Sequence, residues 1–202
     1  MRKKYFLGLD LSLSCSGYCV IDQTGKIRKI GNVISQPTTP DVESRFVRYS
    51  NITASFEQIL KTFWSQIEVV AIENYSYGSK GKIIQLVECG TMVRNLVRDR
   101  IFERRKFIYE VAPISLKKFI LGSGKIKSAK NIMCREVWKK YKYEIDDDNM
   151  VDAFLLSKVA QGIFLVREGH GDKIKKKYQR EVITNILKPK KKSKRRKKNA
   201  TT

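Results

Sequence analysis

A carboxylate set inside an apolar strand is the feature that most limits what this chain can become. Residues Tyr5 to Leu11, YFLGLDL, are apolar apart from Asp10, and a carboxylate buried without a partner is costly. The run Gly17 to Asp22 follows the small, polar segment SLSCS, so the two runs read as paired strands with a tight connection. A turn at Asp22-Gln23-Thr24-Gly25 leads into a third, less regular strand over Lys26 to Ile34. The chain therefore opens as a three-stranded meander.

Beyond Pro37 and Pro40 the period changes. Phe46, Tyr49, Ile52, Phe56, Ile59, Leu60 and Phe63 recur every three or four residues and predict an amphipathic helix over Val42 to Gln66. Ile67 to Ile72, IEVVAI, is short, branched and apolar, as a buried parallel strand should be, and it ends at Glu73. Lys82 to Ile101 predicts a second helix, apolar over an arc wide enough for deep burial or for contact with another subunit. A fifth strand over Lys106 to Val111 and a short helix opened by Pro113 and broken at Gly122 to Gly124 come next. Helices over Ala129 to Tyr141 and Met150 to Phe164 follow.

The fold class is thus α/β, a mixed five-stranded sheet flanked by helices in one domain over residues 1–168. Residues 169–202 are read as a basic appendage. EGHGD is a linker that carries the single histidine, His170, and Ile174, Tyr178, Val182 and Ile186 mark a basic amphipathic helix. The last stretch is a like-charge run that cannot form a core and is expected to be disordered in isolation.

Charge narrows the partner. Lys and Arg number 42 against 20 Asp and Glu, a formal +22, enough to concentrate polyanions around the protein. KPKKKSKRRKK, from Lys188 to Lys198, holds nine of these charges and leaves +13 on the rest. The folded part is basic as well, and nucleic acid is the leading partner. The apolar run after MRKK is too short for a membrane span or a signal-peptide core. Cys15, Cys19, Cys89 and Cys134 show no C-x-x-C pair, which supports neither a zinc site nor a disulfide framework and suits a reducing cytosol. The basic tail also has the composition of a nuclear-import signal.

Acidic residues recur where strands end. Asp10, Glu73, the run Asp146-Asp147-Asp148 and then Asp152 at the start of a helix form a pattern that isolated turn or cap donors do not explain. In a mixed sheet the first and fourth strands can be neighbours, which places Asp10 beside Glu73 with Asp152 brought across by a late helix. Divalent cations answer such repulsion, and hard oxygen ligands suit Mg²⁺ or Mn²⁺. Two such ions serve phosphoryl displacement, the chemistry of nucleases.

In order along the chain, GLDLSLSCSGYCVID, VVAIENYSYG, VAPISLKKFILGSG and DDDNMVDAFLLS resemble the four motif regions of the RuvC-like Holliday junction resolvases, from Leu7 to about Ala160. The resemblance implies a ribonuclease H-like fold and a homodimer that nicks four-way DNA junctions using two Mg²⁺ ions, with Mn²⁺ as a substitute. It implies that Asp10 bridges the metals, that Glu73 completes one shell and that Asp152 completes the other. The family carries a carboxylate or histidine three residues before the last aspartate. Here Asn149 stands there, with Asp148 one earlier, and Asp148 is slightly favoured as the fourth ligand. Lys117, with Lys118 beside it, matches a basic residue near the scissile phosphate, and Lys127 or Lys130 stands for a later lysine whose spacing has slipped. Each lysine can also be a solvated charge or a plain phosphate contact. Tyr75, Tyr77 and Lys80, in a glycine-bearing loop after Glu73, suit stacking beside an unpaired base, with packing under the loop as the alternative.

Other readings share these residues. A nuclease of the same fold can act on flaps, forks or RNA. A non-enzymatic DNA-binding protein needs only the basic surface, with the acidic cluster structural. An actin-like phosphotransferase also begins with an acidic hairpin but needs a second phosphate loop and a longer chain. The host compartment implied is the cytoplasm of a bacterial or phage-infected cell.

Overall fold

Alternation of side chains along the strands decides the layers. The computed structural model describes residues 3–37, 39–75, 83–102, 106–126 and 129–188. Strands β1 (Tyr5–Asp10), β2 (Cys15–Asp22), β3 (Ile27–Ile34), β4 (Ile67–Glu73) and β5 (Phe107–Val111) form one sheet in the order β3-β2-β1-β4-β5. The β1–β2 and β2–β3 pairs are antiparallel, and β1–β4 and β4–β5 are parallel. Tyr5, Leu7 and Leu9 of β1 enter one core with Val20, Val70 and Ile72, and Phe6 enters the other with Cys19, Ile21, Val69 and Ala71. Successive residues of a strand face opposite ways.

The first core is closed by α1 (Val42–Leu60) and α2 (Ile83–Phe102), which bring in Tyr49, Ile52, Phe56, Cys89, Val93 and Val97. Asp41 caps α1 by accepting the Ser44 N–H at 2.8 Å. The helix stops at Leu60 rather than running to Gln66. There the chain tightens into a short 3₁₀ turn over Trp64–Gln66, which turns the Trp64 indole inward to donate to Glu57 Oε2 at 3.0 Å.

The second core is closed by α3 (Pro113–Leu121), α4 (Ala129–Tyr141), α5 (Asp148–Arg167) and α6 (Lys177–Leu187). Pro113 opens α3, and Gly122 ends it at φ 79°, a left-handed value suited to glycine. Helix α5 is long and apolar enough to cross a membrane by length and composition, but its apolar residues from Val151 to Ile163 are buried in this core. Val182 and Ile183 of α6 are buried there too, and Gln179 Nε2 donates to the Phe119 carbonyl at 3.1 Å. The basic amphipathic helix is therefore seated on the body of the protein. The lysine-rich tail from residue 189 lies outside the described residues.

Candidate active site

Period and register together bring three acids to one end of the sheet. Asp10 closes β1 on the face of Phe6, and Glu73 closes β4 on the face of Val69 and Ala71. Leu9 is opposite Ile72 in the parallel pair, so the residues that follow them, Asp10 and Glu73, leave adjacent strands side by side. This face is the one covered by α5, whose second turn carries Asp152.

Two glycines let that helix come close enough. A Cβ on Gly8 would lie 2.0 Å from the Ala153 carbonyl oxygen and 2.4 Å from the Ser157 nitrogen. One on Gly17 would lie 2.1 Å from the Asn149 carbonyl oxygen. Gly17 is the strand partner of Asp10, so the first turn of α5 rests directly beside Asp10. Helix α5 begins at Asp148, two residues before the start expected from its periodicity, because Asp147 caps it by accepting the Met150 N–H at 2.9 Å. Part of the Asp146-Asp147-Asp148 run is thus explained by capping, and an acid at Asp148 suits the positive end of the helix dipole.

The electrostatics follow from the crowding. Burial pushes the Glu73 carboxyl well above the usual carboxylate range; the charge of Asp10, a hydrogen bond with Asp10 and the charge of Asp152 raise it further, and Lys117 opposes them. Burial also raises the Cys134 thiol, and the charges of Asp148 and Asp152 add to it. Cys134 Sγ lies 3.8 Å from Asp148 Oδ1 as a weak donor. Among the described residues no three His, Cys, Asp or Glu side chains converge closely enough to hold an ion as they stand. The donor set nevertheless fits a hard cation, since all its charged members are carboxylates and their mutual repulsion is what a divalent ion relieves.

The loop between β1 and β2 is fixed from below. The Ser12 hydroxyl donates to the Cys15 carbonyl at 2.8 Å, and Ser16 donates to the Ser12 carbonyl at 2.7 Å. The buried Arg48 of α1 donates to the Leu13 carbonyl and, at 2.8 Å, to Ser35 Oγ. The backbone next to Asp10 is therefore held by hydroxyls and one guanidinium.

The remaining expected residues divide. Lys117 on α3 acts on Glu73, whereas Lys118 pairs with Glu181 of α6 at 2.8 Å. The Asn149 backbone carbonyl lies against Gly17, the strand partner of Asp10, whereas Asp148 Oδ1 lies 3.8 Å from Cys134 Sγ of α4. Tyr75 is half-buried, with its ring against the Arg94 guanidinium. Tyr77, Lys80 and Lys127, and the side chain of Lys130, lie outside the described residues. Sequence reasoning passed over Gly8, Gly17, Arg94 and Cys134. A glycine inside an apolar strand, which marks close backbone approach, was the signal available for the first two.

No family model and no curated protein matches the chain. Among solved structures it is similar to Thermus thermophilus RuvC, with 19% identity and a TM-score of 0.60 over 82% of this chain and 97% of that one. It is also similar to T. thermophilus RuvC in complex with a Holliday junction substrate, with 19% identity and a TM-score of 0.59 over 83% of this chain and 97% of that one. With its mixed five-stranded sheet flanked by helices, the chain has the ribonuclease H-like fold of RuvC.

Proposed function

We propose that this protein is a structure-selective DNA endonuclease that resolves four-way junctions by two-metal-ion phosphodiester hydrolysis. The observation that carries the reading is the meeting of Asp10, Glu73 and Asp152 at one sheet end, on a strongly basic body. Asp10 and Glu73, from neighbouring strands, and Asp152, from α5, hold Mg²⁺, with Mn²⁺ as a substitute. Bound there, such ions would supply activation of water and charge stabilisation at an in-line phosphoryl displacement. Lys117 neutralises charge on the phosphate being cut, and the surrounding lysines position the backbone without reading bases.

The fourth ligand is assigned to Asn149 in preference to Asp148, because the Asn149 backbone lies over the strand partner of Asp10, whereas the Asp148 carboxylate lies 3.8 Å from Cys134 Sγ. Asn149→Ala should raise the Mg²⁺ concentration needed for half-maximal cleavage more than Asp148→Ala does. The reverse order moves the ligand to Asp148.

Paired nicks need two sites, and a homodimer supplies them. The first turns of α1 and α2 expose Val42, Phe46, Val47, Ile84 and Val87, and Tyr49 Oη donates to Glu88 Oε2 at 3.2 Å to join these helices. An apolar patch shared by two helices suits a second copy.

The experiment is a cleavage series with Mg²⁺ on four-way, three-way, flapped and linear DNA, with an RNA duplex alongside. Paired nicks in the four-way junction at a rate well above the others are expected. Equal cutting of linear duplex sinks the resolvase reading but leaves a nuclease; no cutting of any substrate, with binding retained, favours a non-enzymatic DNA-binding protein.

A further inference from the structure

Where β4 leaves the sheet, one guanidinium gathers the backbone behind Glu73. Arg94 of α2 donates from Nη2 to the Glu73 carbonyl oxygen at 3.2 Å and from Nη1 to the Tyr75 hydroxyl at 2.6 Å. Its Cζ lies 4.3 Å from the centroid of the Tyr75 ring, and its Nε is 3.3 Å from Glu110 Oε1 on the next strand, an ion pair without hydrogen-bond alignment. The Tyr75 hydroxyl reaches the Val87 carbonyl at 3.4 Å, and the Tyr75 N–H donates to Asn74 Oδ1 at 2.8 Å. Asn74 itself donates from its N–H to the Val111 carbonyl at 2.9 Å.

The seat is shaped for these two side chains. A Cβ on Gly90 would lie 2.5 Å from the Tyr75 hydroxyl and 2.7 Å from Arg94 Nη1. A glycine in mid-helix lowers helix stability, and here it clears the space in which tyrosine and arginine meet. Arginine suits the task better than lysine, because a planar fork can stack on a ring and donate in several fixed directions at once.

We propose that Arg94 is the positioning residue for Glu73, acting with Tyr75 and Gly90 as a clamp that fixes the peptide following Glu73 and so aims its carboxylate at the metal site. This rests on the metal-dependent reading above. Holding the Glu73 carbonyl fixes the backbone from which the carboxylate projects. Seating Tyr75 holds the exit of β4 in place. Partners that orient a metal ligand typically govern about 10–100-fold in metal affinity.

The test is Mn²⁺ binding to the full-length protein without DNA, followed by electron paramagnetic resonance, with thermal melting measured in parallel. Arg94→Met should weaken Mn²⁺ binding by about 10-fold or more. Arg94→Lys, which keeps a donor and the charge but not the stacked fork, should fall between Arg94→Met and wild type. Tyr75→Phe and Gly90→Ala should weaken binding in the same direction and carry the test if Arg94→Met fails to fold. Wild-type Mn²⁺ affinity in Arg94→Met, even with a lowered melting temperature, would overturn the clamp and leave Arg94 as packing alone. If wild type takes up no Mn²⁺ that Asp10→Asn abolishes, the metal reading itself fails and the clamp falls with it.

Discussion

Asp10→Asn should abolish junction cleavage, by more than about 100-fold, while junction binding in a gel shift stays close to wild type. Partners that only orient a metal ligand already govern about 10–100-fold, and Asp10 is read as a ligand. The basic surface that attracts DNA is untouched by the change. Glu73→Gln and Asp152→Asn should behave alike, and full activity in any of the three would remove that residue from the site. A second readout needs no DNA. The folded protein holds the Glu73 proton more tightly than the unfolded chain does, because burial and the Asp10 charge disfavour its ionised form. The unfolded chain therefore gives up that proton first as pH rises, and stability is lost from the ordinary carboxylate range upward. With chelator present, wild type should melt at progressively lower temperature as pH is raised from about 4 through neutrality. Glu73→Gln, which copies the protonated form, should show a flatter dependence. Identical pH profiles for the two proteins would mean that Glu73 is not held in this way.

Adding one methyl group under α5 should be nearly as damaging as removing a ligand. In Gly17→Ala the new Cβ would sit 2.1 Å from the Asn149 carbonyl oxygen, and in Gly8→Ala 2.0 Å from that of Ala153. Both obstacles are backbone, so relief requires the helix to lift from the sheet rather than a side chain to turn. Overpacking a core costs about 1–3 kcal/mol and occasionally more, and these sites belong at the upper end. Gly171→Ala, whose nearest neighbour would be a Val166 methyl at 3.4 Å, is the control. Urea melts should separate the three. Gly17→Ala should also lose cleavage beyond its loss of stability, because the turn that is displaced carries Asn149 and leads to Asp152. A Gly17→Ala protein as stable and active as wild type would show that the helix does not rest where it is described.

What the residues made legible was mainly periodicity and its consequences. The apolar runs YFLGLD and IEVVAIE were legible as strands ending in Asp10 and Glu73, and pairing of the first and fourth strands was the arrangement needed to bring them together. The opening proline and the breaking glycine of α3 followed from local chemistry. Features that depend on two distant backbones touching were not legible. Gly8 and Gly17 look like ordinary strand glycines until α5 is laid across them. Arg94 is one arginine among many until the exit of β4 is placed beneath it. Helix α1 stops early for a tertiary reason as well, since the chain tightens to bring the Trp64 indole to Glu57.

The pairing of β1 with β4 and the seating of α5 over β1 and β2 also govern when, during synthesis, the three carboxylates can come together. Asp10 is made before Glu73, and Asp152 follows only after the five strands and the first four helices among the described residues have been made. Contacts between such distant segments form late, because the intervening chain must be closed into a loop first. A nascent or prematurely ended product that stops before α5 has many of the lysines and arginines that attract nucleic acid, yet it lacks the third carboxylate. If the proposed nuclease reading holds, such a fragment is expected to hold DNA without hydrolysing it.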